Sequence, residues 1–200
     1  MKLKAQVRAL LLALAVGAVA AAAQMSAVPW PQEPETVLGI KLGQPLKASM
    51  KICPRIFDAL GNYLSEWPTV KYPCFDDVDS PLGLVVHNIA GFTSVTVALV
   101  DGKVRAISAS FLGTDADTIE SALVEKFGTP HFSTTAEVRN LAGATRTNRG
   151  LSWIGHEVGI QFQSVGPKFF EGTLAVVTQT YIARTQKDKA DREAQIRKSF

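Results

Sequence analysis

The Asp101-Gly102 pair, set between two runs of β-branched and small residues, constrains the fold of this chain more than any other short segment. The run before it reads FTSVTVALV (92–100), and the run after it reads KVRAISASF (103–111). Asp-Gly is favoured in two-residue hairpin turns because both central residues must adopt positive φ. The sequence therefore predicts an antiparallel hairpin. Each arm carries apolar or small residues on both faces, which leaves the register open.

Five further segments have the composition of strands. The segment VGIQFQSV (158–165) alternates most regularly, with Val158, Ile160 and Phe162 on one face. The other predicted strands are LVVHNI (84–89), STTAEVRN (133–140), LSWI (151–154) and TLAVVTQTYIA (173–183). The segment TRTNRG (145–150) contains Gly, Asn and Arg, and it is interpreted as a loop between two of these strands.

The segment GTDADTIESALVEKFGTP (113–130) has the clearest helical pattern in the chain. Ile119, Leu123 and Phe127 repeat at the spacing of one helix face, and a glycine and a proline follow as stop signals. Two shorter helices are predicted nearer the N-terminus, the first beginning at Pro45. Their apolar positions are Leu46, Met50 and Cys53 in the first, and Ile56, Leu60, Leu64 and Trp67 in the second.

This order of elements predicts an α+β fold with a mainly antiparallel sheet, built from two helix-then-β-meander units. We expect residues 37–183 to form a single domain, which matches the length of the chain. A proline-rich leader (24–36) precedes the domain, and a polar, basic tail helix (184–200) follows it.

The N-terminal segment has the pattern of a secretory signal peptide. Three basic residues precede an apolar run from Ala9 to Ala23, which is shorter than the roughly 20 residues that a spanning helix needs. We expect residues 1–23 to be removed by cleavage after Ala23, with cleavage after Ala27 as the alternative. We therefore expect a periplasmic or secreted protein with no stable membrane insertion after cleavage.

The charge distribution argues against nucleic acid as a partner. The chain has 21 Lys and Arg against 18 Asp and Glu, and three of the basic residues lie in the signal segment, which leaves 18 of each sign. The basic surplus therefore belongs to the targeting segment, and the sequence shows no basic-aromatic stripe. The tail from Arg184 to Phe200 holds six basic and three acidic residues, which is typical of a solvated helix.

Cys53 and Cys74 are the two cysteines of the chain, and in an oxidising compartment they predict one disulfide. Their spacing does not fit a Cys-x-x-Cys redox centre, and we expect neither a bound metal nor another cofactor. Asp76, Asp77 and Asp79 run into Ser-Pro, which favours a turn. A calcium site at these aspartates is the weaker alternative, because the glycine of an EF-hand loop is missing.

The sequence contains no recognised catalytic motif. Gly-x-Ser-x-Gly and the phosphate-binding Gly-x-x-x-x-Gly-Lys pattern are both absent. Glu157 and Glu171 are candidates for an acid/base pair, but the sequence does not bring them together. The candidate partner-binding residues are Trp30, expected to be exposed in the leader, and Arg146 and Arg149, which have no carboxylate nearby in the sequence.

The helix-then-meander order, with its two short echoes LGQP (42–45) and FGTP (127–130), resembles small bacterial envelope modules. These are the BamE family of outer-membrane assembly lipoproteins and the β-lactamase inhibitor proteins; the resemblance covers residues 37–183. This chain departs from BamE because no lipid-accepting cysteine ends its apolar run. The resemblance implies a non-catalytic module that binds another envelope or secreted protein, as an assembly accessory or an inhibitor. A small-ligand or lipid-binding module is the alternative, and an unrecognised hydrolase is the third hypothesis.

Overall fold

The computed structural model describes residues 30–54, 72–76 and 83–198. The signal segment, the predicted helix from Ile56 to Trp67, and two of the calcium candidates, Asp77 and Asp79, lie outside these residues. The α-helices are α1 (Ala116–Phe127) and α2 (Gln179–Lys198). The strands are β1 (Thr36–Val37), β2 (Ile40–Lys41), β3 (Lys51–Ile52), β4 (Cys74–Phe75), β5 (Leu84–His87), β6 (Ser94–Val100), β7 (Lys103–Leu112), β8 (Phe132–Arg139), β9 (Thr145–Ile154), β10 (Val158–Gln163) and β11 (Glu171–Thr178).

Nine of the described strands form one sheet in the order β3-β4-β5-β6-β7-β11-β10-β9-β8. All neighbours are antiparallel except β3 and β4. The order describes two meanders, β4 to β7 and β8 to β11, whose last strands pair at the centre of the sheet. The short strands β1 and β2 form a separate hairpin. The prediction of an α+β fold with a mainly antiparallel sheet is therefore confirmed.

The β6–β7 hairpin turns at Asp101 and Gly102, as predicted. Both residues have positive φ, 53° and 70° respectively, which is the backbone that a two-residue hairpin turn requires. The register shifts between Ala98 and Leu99, so that Arg105 is an extra residue on β7. Such a bulge reverses which face the side chains occupy, and this explains the apolar residues on both faces of the arm.

The helix α1 packs its predicted stripe, Ile119, Leu123 and Phe127, into the main core. Facing it are sheet residues that include Trp153 and Ile107, both 1% exposed or less. The β1–β2 hairpin supplies further side chains to the same core. One face of the sheet is therefore covered by α1 and by the N-terminal segment.

The helix α2 begins on the opposite face of the sheet. Ile182 packs against Ala106 and Val177. The residues next to these two in the strands, Ile107 and Val176, point into the main core. Because successive strand residues point to opposite faces, Ile182 lies on the face away from that core. The prediction of a strand through residue 183 is wrong, because β11 ends at Thr178. The Thr178 hydroxyl accepts a hydrogen bond from the Tyr181 N–H at 3.3 Å, the arrangement of a helix N-cap. The tail helix thus starts at Gln179, five residues before the predicted position.

The prediction of two helix-then-meander units is wrong for the described residues. They contain two α-helices, and only α1 directly precedes a meander. The segment predicted as a helix from Pro45 forms a 3-10 turn over Leu46–Ala48 and then enters β3. Neither α-helix of the described ranges is apolar enough, over the length that a bilayer crossing requires, to span a membrane.

Candidate functional site

The strand β8 forms one edge of the sheet and is the candidate binding site. It has eight residues, seven of which are exposed, and among the strands of residues 30–54, 72–76 and 83–198 it pairs only with β9. Its sequence, FSTTAEVR, has three apolar residues, Phe132, Ala136 and Val138, and none of its eight residues is deeply buried. The edge therefore offers a long stretch of accessible backbone.

The hydrogen-bond pattern shows which residues of β8 face away from the sheet. Asn140, one residue beyond β8, donates its N–H to the Ala144 carbonyl at 3.0 Å and continues the β8–β9 register. In an antiparallel pair, successive residues point their backbone groups alternately toward and away from the partner strand. The even-numbered residues of β8 therefore face β9. The outward-facing residues are Ser133, Thr135, Glu137 and Arg139.

The guanidinium of Arg149 is held by α1, although no carboxylate lies near it in the sequence. Arg149 forms a hydrogen-bonded ion pair with Asp117, and its Nε lies 2.9 Å from a Glu120 carboxylate oxygen. The hydrogen bond with Asp117 is the main cause that raises the pKa of Arg149 above its usual value, with Glu120 contributing in the same direction. Arg149 thus fastens α1 to β9.

Arg146 also makes contacts within the chain. Its Nη1 donates to the Phe169 carbonyl at 2.8 Å, and the guanidinium lies over the Phe169 ring. A longer contact of 3.5 Å joins Nη2 to the Gly113 carbonyl. The loop prediction for residues 145–150 is wrong as well, because they form the first half of β9. Pairing with strands on both sides overrides the weak strand propensity of this segment.

Trp30 lies in the core, so the prediction of an exposed binding aromatic is wrong. It is 8% exposed, and its indole Nε1 donates to the Phe127 carbonyl at 2.9 Å. The neighbouring Glu33 carboxylate accepts backbone N–H groups from the β9–β10 turn. The donors are His156 at 3.1 Å, Glu157 at 2.5 Å and Val158 at 2.5 Å. The end of the predicted leader is therefore docked on the second meander.

The predicted disulfide between Cys53 and Cys74 is confirmed, and it lies at the other edge of the sheet. Cys53 follows β3, and its N–H donates to the Phe75 carbonyl at 2.9 Å. Beside the disulfide, an Asp76 carboxylate oxygen lies 3.0 Å from His87 Nε2. Both side chains are about one-fifth exposed, and Asp76 is the calcium candidate that falls within the described residues.

The two carboxylates considered as an acid/base pair are far apart. Glu171 begins β11, whereas Glu157 precedes Val158, which pairs with Thr178 at the opposite end of β11. At about 3.4 Å per residue, the length of β11 separates them by roughly 24 Å. They cannot act on the same bond.

Aromatic rings fill the centre of the described core. The Phe111 and Phe162 rings stack with centroids 5.5 Å apart, and both side chains are fully buried. Two surface depressions lie beside residues 47–52, and both are open to solvent. Apolar strand residues on the two faces of the sheet pack against α1 on one side and against the start of α2 on the other.

No protein-family model, curated protein or solved structure matches this chain. The resemblance to the BamE family and to the β-lactamase inhibitor proteins rests on the order of elements alone, and the described residues keep that order in one unit, α1 followed by β8 to β11. The β8 edge itself was missed at the level of sequence. The signal that could have revealed it is the run of polar residues in STTAEVRN, which is typical of a strand with no deeply buried face.

Proposed function

We propose that this chain is an exported, non-catalytic protein-interaction module that binds an extended segment of another envelope or secreted protein. The binding site is β8, and the mode is strand addition, in which the partner segment becomes the tenth strand of the sheet. The observation that carries the proposal is the exposed, eight-residue edge with outward-facing backbone at alternate positions.

Backbone hydrogen bonds supply the affinity in this mode of binding. Each of the four outward-facing residues presents one N–H and one C=O, and a hydrogen bond contributes about 0.5–1.5 kcal/mol net. Side chains set the specificity. Glu137 and Arg139 favour a partner segment with charges of opposite sign in the facing positions, and they disfavour the uncontrolled pairing of apolar edges.

Two sequence features support the exported location in this proposal. The basic segment followed by the apolar run up to Ala23 has the form of a secretory signal. The disulfide between Cys53 and Cys74 is typical of proteins that function in an oxidising compartment. The resemblance to envelope modules keeps one helix-then-meander unit, α1 followed by β8 to β11, and for that unit it favours a role as an assembly accessory or as an inhibitor.

A proline at Thr135 tests the binding mode. Proline removes the outward-facing N–H, and edge strands tolerate it when that N–H faces solvent. We expect Thr135→Pro to lower the capture of the partner from an envelope extract severalfold while leaving the thermal unfolding of the chain close to wild type. Thr135→Val is the matched control, because it keeps the N–H and the shape of the side chain, and it should capture the partner normally.

Hydrogen exchange locates the interface independently of the variants. In the purified complex, the amides of Ser133, Thr135, Glu137 and Arg139 should slow, whereas those of the even-numbered residues, already bonded to β9, should change little. Normal capture by folded Thr135→Pro, with no alternating protection on β8, would rule out strand addition. Protection on β8 that increases with the concentration of the chain alone would indicate a second copy as the occupant.

A further inference from the structure

The cluster around the disulfide contains the donor atoms of a metal site. Cys53 Sγ, a carboxylate oxygen of Asp76 and an imidazole nitrogen of His87 all lie within 4.8 Å of one another. Cys74 Sγ is bonded to Cys53 Sγ, and Cys74 stands opposite His87 in the β4–β5 register. The end of β3, the segment around β4, and β5 therefore bring one sulfur, one oxygen and one nitrogen together, and the disulfide places the second sulfur 2.06 Å from the first.

This donor set fits zinc. Zinc prefers four ligands in a tetrahedron and accepts thiolate, imidazole and carboxylate groups, at about 2.0–2.3 Å from the metal. Ligand atoms at these distances are roughly 3.3–3.8 Å apart. The oxygen and nitrogen are already 3.0 Å apart, and the three atoms need shifts of about 1 Å or less to reach tetrahedral spacing. Hard cations such as calcium are excluded by the sulfur ligands.

The disulfide decides whether this site exists. A sulfur in a disulfide carries no negative charge and is a poor ligand, so in the oxidised chain the described part of this cluster is reduced to Asp76 and His87. We propose that reduction of the Cys53–Cys74 disulfide converts this cluster into a zinc-binding site with Cys53, Cys74, Asp76 and His87 as its ligands. The inference does not depend on the interaction proposed for β8.

The reaction balances with a dithiol as the reductant. The dithiol transfers two electrons and two protons to the S–S bond; the bond breaks to give two thiols, and the dithiol becomes a disulfide. Zinc binding then releases the two thiol protons, because thiolates are the ligand form. His87 binds as the neutral imidazole and Asp76 as the carboxylate. An exported chain is synthesised where thiols are kept reduced, so zinc would hold β3, β4 and β5 together until the disulfide forms.

Cobalt provides a spectroscopic probe for the site. The full chain is treated with a dithiol or a phosphine under anaerobic conditions, the reductant is removed, and Co²⁺ is titrated in. We expect thiolate-to-cobalt charge transfer and intense tetrahedral d–d bands that saturate at one cobalt per chain, and Zn²⁺ should abolish them by displacement. The oxidised chain should show no such bands.

Variants separate a built site from adventitious binding by two thiols. In the reduced chain, His87→Gln and Asp76→Asn should each weaken cobalt binding by roughly tenfold or more. Loss of a group that only supports a ligand already costs a metal site roughly tenfold, and loss of a ligand should cost at least as much. His156→Gln is the matched control, because His156 and Glu157 form a similar His–carboxylate contact of 3.0 Å far from the cysteines. Its cobalt affinity should equal wild type.

Three outcomes would overturn the proposal. They are the absence of the bands in a reduced chain that remains folded, an unchanged cobalt affinity in His87→Gln, and the same bands in the reduced chain unfolded by urea. A reduced chain that unfolds without metal and recovers its circular dichroism on adding Zn²⁺ would support the proposal, because the free energy of metal binding then stabilises the fold.

Discussion

The two edges of the sheet are built in opposite ways. The first edge consists of β3 and β4, with two residues each, and a disulfide holds them together. The second edge is β8, with eight residues, no covalent link and a regular antiparallel pairing with β9 along its whole length. A two-residue strand contributes too few ladder hydrogen bonds to hold its own position, whereas an eight-residue strand does not need a covalent link.

This difference separates stability from recognition within one sheet. The first edge is held covalently and offers little accessible backbone for another strand. The second half of the molecule is held by non-covalent contacts on its faces, at Glu33 and Arg149, and these leave its edge open. A fold fastened in this way can accept a partner strand at β8 without rearranging its core.

Removal of the disulfide should have the largest effect on stability. We expect Cys53→Ser combined with Cys74→Ser to lower the free energy of unfolding by about 2–4 kcal/mol, because the cross-link restricts the unfolded chain. Urea unfolding at equilibrium measures the change. Amide exchange should accelerate in β4 and β5 and remain slow in the β9–β10 pair. Equal acceleration in both meanders would show that the edges are not independent.

Loss of the Glu33 carboxylate should have the next largest effect, and it should act on the other side of the molecule. Glu33→Gln keeps one acceptor oxygen but replaces the other with an NH2 group, so at least one backbone N–H of the β9–β10 turn loses its acceptor, and we expect a loss of about 1–3 kcal/mol. Thermal unfolding measures the loss, and Glu35→Gln, with an exposed side chain two residues away, is the matched control. Equal stability of the two variants would contradict the docking of the N-terminal segment on the second meander.

The smallest effect is expected at Arg149. Its side chain is 39% exposed, so solvent screens its ion pairs with α1, and Arg149→Ala should destabilise the chain by about 1 kcal/mol or less. Arg139→Ala removes one exposed positive charge from the edge strand, and it is the control for the loss of charge in Arg149→Ala. We expect Arg149→Ala to leave partner capture unchanged, since the proposed contact is the β8 backbone. A severalfold loss of capture would restore Arg149 as a binding residue.

The elements that the sequence predicted correctly depend on neighbouring residues. The Asp101-Gly102 turn follows from the positive φ that two adjacent residues must adopt. The Ile119, Leu123 and Phe127 stripe follows from the helical repeat. The disulfide is the exception, because it joins residues 21 apart; its prediction followed from there being two cysteines in a chain whose N-terminal segment has the pattern of a secretory signal.

The features that the sequence did not predict depend on distant residues. Trp30 is buried because it meets Phe127, 97 residues away, and Arg149 is paired because it meets Asp117, 32 residues away. The bulge at Arg105 reverses the faces of β7, so the alternation of apolar residues there could not define a register. The candidate binding edge was missed for the same reason, since the position of a strand within a sheet is set by the topology.

The pairing of β7 with β11 has a consequence for how the chain is made. It joins Ala109 to Leu174, about 65 residues later, whereas the strands within each meander are joined by much closer contacts. Local contacts form faster than distant ones, so each meander can assemble before the two meet. Until β11 has been synthesised, β7 is itself an open edge, ten residues long and rich in apolar side chains. A nascent chain, or one truncated before Glu171, therefore exposes at the centre of the future sheet the kind of strand that aggregates most readily.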